Sequence, residues 1–314
     1  MTPAAQMGSM GSMADRDLDV VVVGAIGVDT NVYVPDGPLD DTDAVFVSVL
    51  DVVGQAGGFT ARGFAALGRR TAFAGHVGAD PWGVMVHDAL AADGIDSSSL
   101  SRDDPAGTAR SVNLVGTDGR RQAFYDGRGA GDFAPDLEAA ASVIGRARLA
   151  MVHLPNWTRR LIPVARSQGT TVAVDLQDVH DIDDPYRADF IAGAELLFAS
   201  AADHGDPLAL ATALLERSPA RVVVVGAGGE GAVLATRDGP VRLVPPAPLD
   251  LPVVDTNGAG DALAVGFCDA FVLDGLDAER ALRRGQLAAR WACAQRGRSD
   301  TLITRPDLDR LERA

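Results

Sequence analysis

Lysine is absent: all 28 basic side chains of this 314-residue chain are arginine. That removes several chemistries at once. A Walker A phosphate loop, a protein-kinase strand lysine and a Schiff base to pyridoxal phosphate each need an ε-amino group at the site. Positive charge is scarce overall, since 43 acidic residues leave a formal charge of −15. A field of that sign excludes a protein whose main task is binding nucleic acid or an anionic membrane, although local donors could still hold a single nucleotide. The two cysteines, Cys268 and Cys293, show no Cys-x-x-Cys spacing and no nearby histidine cluster. They read as buried thiols of a chain suited to a reducing cytoplasm. No apolar run is long enough to span a bilayer, and residues 1–16, rich in Met, Gly and Ser, lack the apolar core of a signal peptide. They read as a flexible leader outside the fold.

What is present suits a large α/β core. Hydrophobic residues make up 47% of the chain, and 35 glycines allow frequent turns. Leu18 to Gly24 is a continuous apolar run ending at glycine, as expected of a strand buried on both faces of a parallel sheet. The runs at 149–154, 171–176, 195–199 and 221–226 repeat that character with helix-length spacers, which predicts a parallel sheet covered on both faces. Two stretches differ. Val45, Val47 and Val49 alternate after Pro35, Gly37 and Pro38, and Ser111 to Tyr125 folds about Thr117-Asp118-Gly119 as a hairpin. Together they predict a small accessory sheet.

Asp29 lies just past the first strand, at the sheet edge where open α/β folds bind ligands; a turn-forming role fits the same spacing. Asp80 and Gly83 read as a helix cap. His153 and His180 stand near strand ends without metal-ligand partners at useful spacing, and read as structural. Val225 to Gly231 satisfies Gly-x-Gly-x-x-Gly, but a dinucleotide fingerprint must open a helix. Here Ala232–Thr236 and Val241–Val244 flank Asp238-Gly239, which is a hairpin pattern.

The most informative stretch is Val253 to Phe267, Val-Val-Asp-Thr-Asn-Gly-Ala-Gly-Asp followed by a helical, small-residue run. It has the outline of strand, turn and helix. Free amides of Gly258, Ala259 and Gly260 at a helix start can surround an anion. Asp261 beside such a pocket would repel a phosphate unless it serves to take a proton from an attacking hydroxyl. The run closely resembles the C-terminal signature of the ribokinase-like (PfkB) family of carbohydrate and nucleoside kinases. Gly57-Gly58, Gly78-Ala79-Asp80 to Gly83 with Gly94-Ile95, and Gly228 with Gly231 resemble further family segments in the same order, over about residues 18–305.

The resemblance implies a ribokinase-like α/β fold: a mostly parallel central sheet with helices on both faces, in one domain over 17–314, with a β lid from about 33–54 and 109–125. It implies ATP- and Mg²⁺-dependent phosphorylation of a hydroxyl on a small sugar or polyol, Asp261 being the base and the amides of Gly258, Ala259 and Gly260 the anion hole. Asp29 would grip sugar hydroxyls, Gly57 and Gly58 would bring backbone to the substrate, and Gly129 would line the pocket on the return from the lid. The nucleotide would lie against Gly228, Gly231, Asp255, Thr256 and Asn257, with K⁺ near Asp255 as a family possibility. Two departures stand out. Arg62 replaces the Asn expected four positions after the second glycine, which suggests a substrate with an acid or phosphate group. Ser200-Ala201-Ala202-Asp203 replaces Asn-x-x-Glu, leaving Asp203 as an indirect Mg²⁺ ligand. The signature with Asn257 also resembles adenosine kinases, so a nucleoside kinase is an alternative; a non-catalytic sugar-binding or regulatory protein on this fold is another. Family lids often dimerise, which makes the valine face a candidate homodimer surface.

Overall fold

A computed structural model of the protein describes residues 16–35, 46–102, 105–126, 133, 135–202, 204–297 and 301–313. The chain opens with β1 (Leu18–Val23), β2 (Gly27–Tyr33), β3 (Ser48–Gly54), α1 (Gln55–Ala66), β4 (Thr71–His76), α2 (Pro81–Ala92), β5 (Asp96–Ser101), β6 (Ala109–Val115) and β7 (Arg121–Tyr125). A regular alternation follows: α3 (Leu137–Arg146), β8 (Ala147–Val152), α4 (Ile162–Ser167), β9 (Thr171–Asp178), α5 (Ala188–Gly193), β10 (Leu196–Ser200), α6 (Pro207–Arg217) and β11 (Val222–Gly226). It closes with β12 (Ala232–Thr236), β13 (Arg242–Val244), α7 (Ala259–Cys268), α8 (Ala278–Cys293) and α9 (Arg305–Arg313).

The large sheet has the order β13-β12-β11-β10-β9-β8-β1-β4-β5, parallel except for the β11–β12–β13 meander. Its centre follows from the valine run of β1, whose side chains alternate between faces. Val20 and Val22 enter the core layer with Phe73, Leu263 and Phe267, while Val21 and Val23 enter the opposite layer with Ala150, Val152 and Leu161. Each valine is fully buried, worth roughly 1.5–3 kcal/mol apiece before chain entropy is counted. The glycine-rich turn after β11 holds a single 3-10 turn, Gly228–Glu230, and leads into antiparallel β12, so Gly226 to Gly231 closes a hairpin and opens no α-helix.

The small sheet has the order β3-β2-β6-β7, with β2 parallel to β6 and antiparallel to β3. It begins at Gly27, earlier than the lid boundary near residue 33 expected from alternation. Asp29 therefore lies within β2 and not in a loop past β1. The inward residues of β2 are polar, Asp29 and Asn31, both buried; a hydrophobic pattern cannot register such a strand. They are satisfied across the ladder, by Ser111 Oγ donating to Asp29 Oδ1 at 2.7 Å and Asn113 Nδ2 donating to Asn31 Oδ1 at 2.8 Å. Val45 lies outside the described residues, as do residues 1–15.

Helix α1 starts at Gln55 and so contains Gly57, Gly58 and Arg62, and one further expectation changes. Val253 and Val254 form no strand: the amides of Val254 and Asp255 donate to the carbonyl of Cys293 at the end of α8, at 2.8 and 3.1 Å. Asp80 caps α2 as its spacing predicts, accepting from Gly83 N at 2.8 Å, and it also accepts from Thr108 N at 2.8 Å just before β6. Among the described residues no helix is long and apolar enough to cross a membrane.

Candidate active site

The site forms where the loop 251–257 enters α7 against the small sheet. Gly258 is the N-cap of α7, with φ +65° and ψ 15°, a left-handed conformation that glycine adopts without steric cost. It turns the chain so that Ala259, Gly260 and Asp261 form the helix's first turn. Nothing lies within 4 Å of where a Gly260 side chain would stand, so an anion can approach the positive helix end from that side. The cradle is narrower than the three expected amides, because Ala259 N–H is already donated to Thr256 O at 3.2 Å.

Behind the turn lies a buried hydrogen-bond cluster. Asp29 Oδ1 accepts from Gln55 Nε2 at 2.6 Å as well as from Ser111, and its Oδ2 faces Gln55 N at 3.2 Å and Asn257 Nδ2 at 3.4 Å. One carboxylate thus joins the small sheet, the start of α1 and the loop before α7. Asp255 Oδ1 accepts from Asn257 N at 2.9 Å and Oδ2 from Tyr33 OH at 2.8 Å. Burial, and the negative Asp255 that the phenol bonds, push the Tyr33 pKa upward. Thr256 is tied to the tip of the β6–β7 hairpin, its amide and hydroxyl reaching Gly119 O at 3.1 and 3.0 Å. Asp255, Thr256 and Asn257 therefore spend these groups on shaping the loop.

Three residues expected at the substrate also have packing or pairing roles in the structure. Gly57 and Gly58 sit inside α1: a Cβ on Gly57 would meet Ala25 O at 2.4 Å, and one on Gly58 would meet Ile26 Cγ1 at 3.1 Å. Their smallness packs the helix onto the β1–β2 connection. The backbone that approaches the polar cluster is Gly54-Gln55, where a Cβ on Gly54 would come 2.4 Å from Asp29 Oδ2. Arg62 is buried, and its Nε donates to Asp93 Oδ2 at 2.5 Å at the end of α2. That ion pair gives the guanidinium an acidic partner within the protein. Gln55 was missed because a glutamine after glycine carries no motif of its own.

Asp261 faces a second cluster. His153, just past β8, and Asp175, in β9, bring one ligand atom each to within 4.8 Å of each other and of the Asp261 carboxylate. They converge because β8 and β9 pair in parallel with Val152 opposite Val174, so the next residues face each other at the same strand ends. Strand register carries that signal; sequence spacing does not. Burial pushes the His153 pKa down to about 4. Burial raises Asp175 to about 6, the Gln177 amide opposing and the Asp178 charge adding.

The residues present fit a triphosphate with Mg²⁺. The glycine turn of α7 offers the anion site, and the strand ends carrying Ser200 and Asp178 offer oxygen donors suited to a hydrated Mg²⁺. Gly228 keeps open space at φ +56°, whereas a Cβ on Gly231 would meet Val244 O at 2.1 Å, which makes Gly231 a packing glycine. Gly129 and Asp203 lie outside the described residues.

Across residues 17–305 the sequence matches the pfkB family carbohydrate kinase domain. The chain belongs to the pfkB family of carbohydrate kinases. It is 35% identical over 280 residues to an acarbose 7(IV)-phosphotransferase from Actinoplanes sp., covering 88% of this chain and 92% of that protein. A 5-dehydro-2-deoxygluconokinase from Lacticaseibacillus casei is 27% identical, with 94% and 95% coverage. Among solved structures, a microbiome-derived acarbose kinase, Mak1, is 36% identical with a TM-score of 0.85, over 95% of this chain and 99% of that one. Ribokinase from Arabidopsis thaliana, at 19% identity and a TM-score of 0.78 with 95% and 99% coverage, shares the fold. As a pfkB carbohydrate kinase the protein is an ATP-dependent phosphotransferase for a hydroxyl of a sugar or polyol. The nucleoside alternative is not favoured.

Proposed function

We propose that this kinase phosphorylates a hydroxyl of an acarbose-type carbohydrate without an acid or phosphate group, with Asp261 as general base. The observation that carries the base assignment is the position of Asp261 in the first turn of α7, beside the glycine-made anion site and one turn from Asn257, which touches Asp29. A hydroxyl held near Asp29 lies on the approach to the phosphate. Asp261 accepts its proton as oxygen attacks the terminal phosphorus, and the amides of Gly258 and Gly260 stabilise charge on the phosphoryl oxygens. Each such donor is worth ~3 kcal/mol of barrier. Mg²⁺ neutralises phosphate charge when bound; Ser200, with Asp203 beyond the described residues, would hold its waters. Asp29 is the sugar-side carboxylate, and Gln55 fixes its orientation.

The substrate class is supported by two relatives above 30% identity that carry acarbose in their names, and by the pairing of Arg62 with Asp93, which withdraws one cation from an acidic substrate. A panel assay of ADP release with acarbose, ribose, a sugar acid, ribose 1-phosphate and adenosine tests it. Preference for acarbose is expected; preference for adenosine or for the acid and phosphate sugars contradicts the reading. A homodimer through the small sheet belongs to the same proposal, on the strength of exposed Phe46, Val49, Val112 and Phe124. A monovalent cation near Asp255 would act through its loop, and equal activity in K⁺ and Na⁺ would remove it.

A further inference from the structure

Phosphoryl transfer leaves one grouping unexplained, His153 and Asp175 against Asp261. Each offers one ligand atom, and the three atoms lie within 4.8 Å of one another. His153 Nδ1 is 3.9 Å from Asp175 Oδ2, too far for a hydrogen bond. It is near the separation of two donors sharing an ion, since tetrahedral ligands at about 2.0–2.1 Å stand roughly 3.4 Å apart. A separate observation points the same way. The imidazole is 1% exposed, and neither ring nitrogen has a hydrogen-bond partner among the described residues. Native proteins rarely leave such a group unpaired.

We propose that His153, Asp175 and Asp261 bind a divalent transition-metal ion, distinct from the Mg²⁺ that accompanies ATP. An imidazole nitrogen among the donors favours Zn²⁺, Co²⁺ or Mn²⁺ over Mg²⁺, which prefers oxygen and gives up its waters reluctantly. The ion takes the lone pair with which Asp261 accepts the substrate proton, so occupancy and turnover exclude each other and the site is inhibitory. The inhibition rests on Asp261 being the base; the binding does not.

The test is a calorimetric titration of Zn²⁺ into the chelator-treated full chain without nucleotide, paired with a turnover assay at saturating Mg-ATP. Wild type is expected to bind one ion that both His153→Asn and Asp175→Asn weaken at least ~10-fold. Asn at 175 keeps an acceptor for the Gln177 amide, and thermal unfolding confirms that each variant is folded. Zn²⁺ is expected to inhibit wild type reversibly, with His153→Asn turning over in Mg²⁺ and escaping inhibition. Unchanged affinity in both variants overturns the site. Binding lost in the variants, with wild-type turnover indifferent to bound Zn²⁺, overturns the part given to Asp261. A chain inactive on every sugar refutes the proposed function, and the titration then judges the site by itself.

Discussion

Gln55 and Gln177 are the two non-glycine residues with positive φ among those described, at +58° and +55°. Each holds a carboxylate of the site: Gln55 bonds Asp29 through its amide and side chain, and the Gln177 amide donates to Asp175 Oδ1 at 2.9 Å. A left-handed non-glycine residue costs on the order of 1–3 kcal/mol and persists where surrounding contacts require it. Gln55→Ala should therefore lose both the bond and the compensation for the strain, while Gln55→Gly loses only the bond. Urea unfolding should find the alanine variant less stable by ~1 kcal/mol, and equal stabilities would contradict the strain argument. Both variants should raise KM for the sugar more than they lower kcat, because Asp29 loses its orientation while Asp261 is untouched. The glycine turn at the start of α7, with Asp261 in the first turn, was legible as a local shape because such a run has few other uses. Asp29 was legible as a position but not as the centre of a polar cluster, since its partners come from 26, 82 and 228 residues away.

Elements are fastened at their ends by charge as much as by core. Asp269, which follows α7, is fully buried and held by Arg69 Nε at 2.7 Å and a terminal nitrogen of Arg305 at 2.6 Å, while both arginines also reach Asp274. This ties the end of α1 and the start of α9 to the end of α7. Desolvation still leaves the Asp269 pKa raised, outweighing Arg69 and Arg305. The folded state thus binds its proton more tightly than the unfolded chain, so this group costs stability as pH rises from the unfolded value through the folded one. Arg69→Met should destabilise by about 3 kcal/mol, the toll of leaving a buried carboxylate short of a partner. The variant should recover part of that loss between pH 7 and pH 5 in chemical denaturation. A loss unchanged across that range would deny that Asp269 is responsible. Helix α2 was readable from its Asp80 cap, whereas the start of α1 was not, because the residues around Gly57 look like a loop until Ala25 and Ile26 are seen against them. Val253 and Val254 read as a strand on β-branching alone; the competing bonds to Cys293 lie 39 and 38 residues away from their donors, Val254 and Asp255.

At the scale of the molecule, the regular β–α rhythm from β8 onward left little freedom in that half of the large sheet, where β8 to β13 lie side by side in chain order. The small sheet was half legible, through alternation in β3 and the β6–β7 hairpin, while β2 hid behind its polar inward face. Its outer face carries Phe124 and Val112, exposed by 51% and 39%, and a chain of net charge −15 needs such an apolar patch to bring two copies together. Light scattering should report a dimer that Phe124→Asp shifts to monomer; a monomeric wild type would end the dimer proposal without touching the catalytic one. The most direct test of the central claim is single-turnover transfer of the ATP terminal phosphate to the preferred sugar, in wild type and Asp261→Asn, with nucleotide affinity measured alongside. The account predicts near-normal ATP binding and transfer slowed by roughly 10²–10⁴-fold. Transfer at close to the wild-type rate in Asp261→Asn would contradict it.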